Sequence, residues 1–94
     1  GARPEGFFVL RVEGLAMYPR LLEGDFLLVK KSSAAPEGAT VVLEQEGTLL
    51  VRNVSGRTLL PANPEYPPRP LEEQTHILGR AIALIRGLSG EEVV

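Results

Sequence analysis

Val12-Glu13-Gly14-Leu15-Ala16-Met17-Tyr18-Pro19-Arg20-Leu21-Leu22-Glu23-Gly24-Asp25, followed at once by Phe26-Leu27-Leu28-Val29, is the stretch whose reading decides the fold. Gly24-Asp25 is a turn dipeptide, and the apolar run after it has the length of a strand rather than a helix. Between the two glycines, Met17, Leu21 and Leu22 are spaced to group their side chains over one short helical turn within 17–22. Pro19 suits the first turn of such a segment. A single turn is too short to persist without packing against something larger.

Working outward, the chain has the same texture throughout. Phe7 to Glu13 alternates, with Phe8, Leu10 and Val12 on one face and Arg11 and Glu13 on the other. Thr40 to Gln45 and Thr48 to Val54 flank Glu46-Gly47 and predict a hairpin. Ser55-Gly56 then turns the chain into Arg57 to Leu60. The segment 61–70 holds five prolines, which excludes a paired central strand and predicts a stiff, extended surface loop. Thr75 to Arg86 is a long β run broken at Gly79, a predicted bulge or bend. The tail 87–94 is small, polar and acidic and is expected to fray. The fold class expected is mainly β, a single domain over 1–94 with a strongly bent sheet.

Composition narrows function by exclusion. A chain of 94 residues with 44% hydrophobic and 23% charged content has the balance of one ordinary small globular domain. The net charge is −2 and no basic stripe is present, so nucleic-acid binding by this segment alone is not expected. The absence of cysteine excludes disulfides, thiolate zinc sites and cysteine catalysis, and fits a cytoplasmic location. No apolar run approaches membrane-spanning length, so no membrane partner is expected. No metal motif and no phosphate-cradling loop occurs, and no cofactor is expected. Eight of the ten basic residues are arginine and eight residues are proline, a bias compatible with a thermophilic source.

Four segments together resemble the C-terminal domain of LexA-like and UmuD-like self-cleaving regulators, which is related in fold to type I signal peptidases. The first is the opening stretch, which matches the frame V-x-G-x-S-M-x-P-x-L-x-x-G-D with Ala16 at the serine. The second is Leu50-Val51-Arg52-Asn53-Val54, similar to a strand reading V-K-R-hydrophobic. The third, Leu59-Leu60-Pro61-Ala62-Asn63-Pro64-Glu65-Tyr66-Pro67, is similar to the family's L-L-P-x-N loop. The fourth, Ile77 to Arg86, resembles its closing strand. The blocks occur in the family's order. The resemblance implies strongly bent sheets forming a partly open, barrel-like fold.

In active members the resemblance implies a serine nucleophile and a buried neutral lysine that takes its proton. Here neither is present. Ala16 has no attacking atom, and Arg52 stays charged and has no lone pair to accept a proton. Asn53 is a further departure where the family often has arginine. As it stands, the chain is not expected to hydrolyse peptides. Gly14, Met17, Pro19, Gly24 and Asp25 then keep a structural role as turns, an apolar plug and a backbone hydrogen-bonding carboxylate. Ser32, Ser33 and Ser55 sit in polar turns, Lys30 and Lys31 end a strand, and His76 has no partner by spacing, so none replaces the missing chemistry.

Two further implications follow from the resemblance. Domains of this kind dimerise regulators whose DNA contact is made by a separate N-terminal domain. Here Ala81, Ile82, Ala83, Leu84 and Ile85 are apolar on both faces, which suits a strand shared with a homodimer partner. The leading expectation is therefore a catalytically inactive dimerisation or regulatory module, belonging to a transcriptional regulator. Alternatives are an active peptidase carrying inactivating replacements at Ala16 and Arg52, and a module that binds an extended peptide in the old groove. Fifteen residues precede Ala16, fewer than a cleavable linker is expected to need.

Overall fold

A computed structural model describes residues 6–87. Seven strands form one antiparallel sheet: β1 (Phe7–Arg11), β2 (Phe26–Lys31), β3 (Thr40–Gln45), β4 (Thr48–Ser55), β5 (Thr58–Leu60), β6 (Arg69–Pro70) and β7 (His76–Ile85). Their order across the sheet is β1-β2-β7-β3-β4-β5-β6. The mainly β expectation holds, and the sheet remains open, with β1 and β6 as its edges. The expected fraying of 87–94 concerns a segment that, beyond Gly87, lies outside the described residues.

Local sequence accounts for most of these elements. Alternation in β1 leaves Phe8 and Leu10 half-buried between exposed Phe7, Val9 and Arg11. The β3–β4 hairpin closes through Glu46 and Gly47, whose φ angles of 54° and 79° are those of a two-residue type I′ turn. Its right-handed twist matches the strands it joins. At 17–22, where at most one short helical turn is expected, the chain makes a run of turns. It carries a single i→i+4 bond, from the Leu21 N–H to the Met17 carbonyl. Pro19 follows a cis peptide bond and has no N–H to donate, so no second helical bond can form from it.

The bend of the sheet is visible in how β3 is covered. Val41 and Leu43 point into a cluster with Val54, Leu59 and Ile77, whereas Val42 belongs to a second cluster with Val12, Leu27 and Val29. All three β3 residues are fully buried. A strand with both faces dry must have protein folded over each side, which a flat one-layer sheet could not supply.

β7 carries the curvature. Its ladder shifts register twice, so that Leu78 is an extra residue opposite the Val42/Leu43 step and Ile82 an extra residue opposite the Leu28/Val29 step. Gly79, expected to be a bulge or bend, lies directly beside the first bulge and has a further role. A Cβ there would sit 2.6 Å from the Lys30 carbonyl oxygen and 2.6 Å from Val29 Cγ1. The approach of β2 to β7 therefore requires glycine.

The proline-rich segment is no central strand, as expected, but it is not an extended loop throughout: it turns at 62–66 and ends in the edge strand β6. Arg69 and Pro70 pair with β5. Buried Gln45 donates from Nε2 to the Pro70 carbonyl at 3.2 Å and to Thr75 Oγ1 at 2.9 Å, and its Oε1 accepts from Arg69 Nη1 at 3.0 Å. A buried amide with donors and acceptor satisfied fixes the chain around it.

Candidate functional site

The two positions that the resemblance makes a reactive pair come from distant segments, and the fold brings them to one groove. It has a volume of about 430 Å³ and is lined by residues 10–17 on one side, 48–52 on the other, and Tyr66. Ala16 lies in the turn after β1 and Arg52 on β4. Both line it.

Strand pairing explains why the groove exists. Among the described residues β1 pairs only with β2, and its outer edge takes no other strand of them. β4 pairs with β3 along 48–53, but β5 covers its other edge only from Asn53 onward. Residues 48–52 thus present a second free edge. The Val54 N–H bonds to Ala39 on the β3 side. By alternation, Val51 and Leu49 turn their N–H and C=O groups outward, toward the groove. The Val51 carbonyl already accepts from Arg52 Nη1 at 2.8 Å, so the arginine side chain lies back over the edge of its own strand.

One end of the groove is shut by the segment after β5. The N–H groups of Ala62 and Asn63 both donate to the Ala16 carbonyl at 3.0 Å, and Asn63 Nδ2 donates to the Leu15 carbonyl at 3.0 Å. Asn63 Oδ1 accepts from the Glu65 N–H, which turns the chain toward Tyr66. This is the physical content of the Pro61-Ala62-Asn63 match: the loop grips the turn that carries position 16.

The remaining frame residues are structural in what they touch. The Gly14 N–H donates to Glu23 Oε2 at 3.0 Å, and the Gly24 N–H to the Val12 carbonyl at 2.8 Å. Gly24 has φ of 95°, which an L side chain rarely adopts. Met17 is buried, and Leu21 packs against the cluster of Val12 and Leu27. Asp25 accepts the Leu22 N–H at 2.7 Å, in line with its expected bond to backbone. Sequence reasoning missed its main partner: Arg86 makes a two-point contact, Nε to Oδ1 at 2.8 Å and Nη2 to Oδ2 at 2.7 Å. The Arg86 guanidinium holds the Asp25 carboxyl below the usual carboxylate range. No local pattern pairs residues 61 apart in sequence; only the β2–β7 ladder does.

Arg52 is the unusual group. It is 5% exposed, and its Nε is buried with no hydrogen-bond partner among the described residues. Burial pushes its pKa down, neighbouring Arg69 adds to that, and Tyr66 opposes it. No carboxylate of the described residues pairs with it. Guanidinium nonetheless remains protonated at any ordinary pH. The position therefore presents a fixed, poorly compensated positive charge beside Ala16, which carries no hydroxyl.

Other candidates fall away from the groove. His76 is exposed, with Nδ1 3.8 Å from Glu44 Oε1. Ser32 Oγ accepts the Ala34 N–H in an exposed turn. Among the described residues no three His, Asp or Glu side chains gather as a metal site, and no helix is long and apolar enough to cross a membrane. In β7, Ala81 is half-buried, while Ile82, Leu84 and Ile85 are 45%, 43% and 56% exposed.

Comparison with known proteins gives the family. Residues 2–82 match the model of the family described as Peptidase S24-like. The LexA repressor of Carboxydothermus hydrogenoformans is 38% identical, over 84% of this chain and 42% of its own length. That of Bordetella avium is 40% identical over 84% of this chain and 40% of its own. That of Cupriavidus pinatubonensis is 36% identical over 89% and 41%. The chain thus spans about two-fifths of the length of these relatives. With the four sequence blocks folded into one sheet and one groove, and the match running across nearly the whole chain, this protein belongs to the Peptidase S24-like family of LexA-type domains.

Proposed function

We propose that this domain is a catalytically inactive member of its family, acting as a dimerisation or regulatory module of a transcriptional regulator. The observation that carries the reading is the shared groove: Ala16 and Arg52 line it together, and each fails for its own chemical reason. Alanine has no nucleophile. Arginine, although buried as a general base should be, cannot give up its proton to become one. The retained Gly14, Met17, Gly24 and Asp25 hold the turn and its tie to Arg86 just after β7, which needs no hydrolysis to be useful.

The regulatory part of the reading rests on the LexA repressor relatives and on one surface. Register places Val9, Phe26 and Ile85 on the same face, through Arg11↔Phe26↔Ile85 and Val9↔Leu28↔Ala83. Val9 is 59% and Phe26 43% exposed. An uncovered apolar face of this kind suits a second copy of the chain, with any DNA contact made by a separate N-terminal domain. A cytoplasmic location belongs to the same reading. Ala16→Ser alone is expected to give no peptide hydrolysis, followed by mass spectrometry on an extended peptide. Clear cleavage by that variant would sink the reading of Arg52.

A further inference from the structure

We propose that the groove is a receptor for the C-terminal carboxylate of an extended peptide, with Arg52 as its anion-binding group. The proposal rests on the preceding reading in one respect: what the groove holds is not hydrolysed.

Shape supplies the extended chain. Two strand edges unpaired among the described residues, β1 and 48–52 of β4, flank the groove, and on β4 the Leu49 N–H and C=O and the Val51 N–H remain for an added strand. Five residues of free β4 edge correspond to roughly 17 Å of extended peptide. Leu10, Leu15, Leu49 and Tyr66 give its side chains apolar surface.

The closed end supplies the terminus. Beyond Arg52 the β4 edge is occupied, because Asn53 pairs with Leu60 of β5. The 61–66 segment is clamped to Ala16 and Leu15 at the same place. A strand added along β4 cannot stay paired past this point, so its chain ends or leaves the edge there, and a strand running parallel to β4 brings its C-terminus to Arg52.

Charge selects which terminus. Arg52 is nine-tenths buried, its Nε has no partner, and no acidic side chain of the described residues pairs with it. An ammonium terminus would meet it as a like charge. A carboxylate would compensate the guanidinium where Arg52 lines the groove, through a charge-assisted hydrogen bond. The replacement that removes the base thus makes the position an anion receptor.

The test uses acetylated pentapeptides of alternating threonine and valine ending in alanine, bound to the 94-residue protein at neutral pH and followed by fluorescence anisotropy. One carries a free C-terminal carboxylate, one a C-terminal amide, and one the amide with an internal aspartate. The free acid is expected to bind at least about tenfold tighter than either amide, the scale of one charge-assisted contact. Arg52→Gln should abolish that preference, so that acid and amide bind alike. If Arg52→Gln fails to fold by circular dichroism, Arg52→Met should abolish the preference in the same way. Equal binding of acid and amide, or no acid binding up to about 1 mM, overturns the proposal and leaves the inactive-module reading intact. Equal binding of the aspartate amide and the acid overturns capture of a chain end. Cleavage of a peptide, seen by mass spectrometry, overturns the inactive reading and the proposal with it.

Discussion

If Arg52 is held for what it binds and not for what it stabilises, removing its charge should make the empty protein more stable. Arg52→Met tests this with a side chain of similar reach and no charge. Three features set the sign. The buried Nε has no partner, and an unsatisfied buried donor costs about 1–3 kcal/mol. Arg69 repels the guanidinium, which methionine would relieve. Against these stands the loss of the 2.8 Å bond from Nη1 to the Val51 carbonyl, worth about 1.5–3 kcal/mol for a charged donor. That carbonyl faces the groove, where water can replace the donor, so most of the loss is recovered. Replacing buried charge by apolar volume is commonly neutral to stabilising by about 1–4 kcal/mol. A net gain of about 1 kcal/mol is expected, which for a domain of this size raises Tm by about 4–8 °C. Thermal unfolding by circular dichroism at pH 7 measures it. A drop in Tm of several degrees would show that Arg52 is a structural group, and would refute the reasoning.

Other consequences concern the frame and the sheet. Gly79→Ala must push β2 and β7 apart, because its Cβ meets backbone at 2.6 Å; a loss of about 2 kcal/mol, read by urea unfolding, is expected for such overpacking. Asp25 has a depressed folded-state pKa, so its stabilising tie to Arg86 is fully present above the ordinary carboxylate value and is lost as pH falls through the folded one. Acid titration of stability below about pH 4 should therefore be steeper in the parent protein than in Arg86→Gln. Ile85→Lys places a charge on the exposed face of Val9 and Phe26; analytical ultracentrifugation should show weakened self-association with an unchanged Tm.

Much of the fold was legible because it is written in local chemistry. The Glu46-Gly47 turn, the alternation of Phe8, Leu10 and Val12, and the prolines of 61–70 each act within a few residues. Gly79 was recognisable as special, but the reason was not, since the atoms it must avoid belong to β2. The bulges at Leu78 and Ile82 were hidden for the same reason: register is a property of two strands, not one. The single helical turn expected from Met17, Leu21 and Leu22 is there as one bond and goes no further, because three apolar residues cannot extend a nucleus across Pro19. At the site, residue types at positions 16 and 52 could be judged from chemistry alone. Their meeting in one groove, the free edges beside them and the orphaned Arg52 donor could not, because each depends on where β5 begins to cover β4.

The central claim is that the groove kept its frame and lost its chemistry at two positions. Peptide hydrolysis by Ala16→Ser, Arg52→Lys and the double variant, measured on one extended peptide at one pH, tests it most directly. The expected result is hydrolysis by the double variant alone, since only there are a nucleophile and a deprotonatable base both present. Cleavage by Ala16→Ser on its own would contradict the account of Arg52, and a double variant as inert as the single ones would contradict the claim that the frame survives.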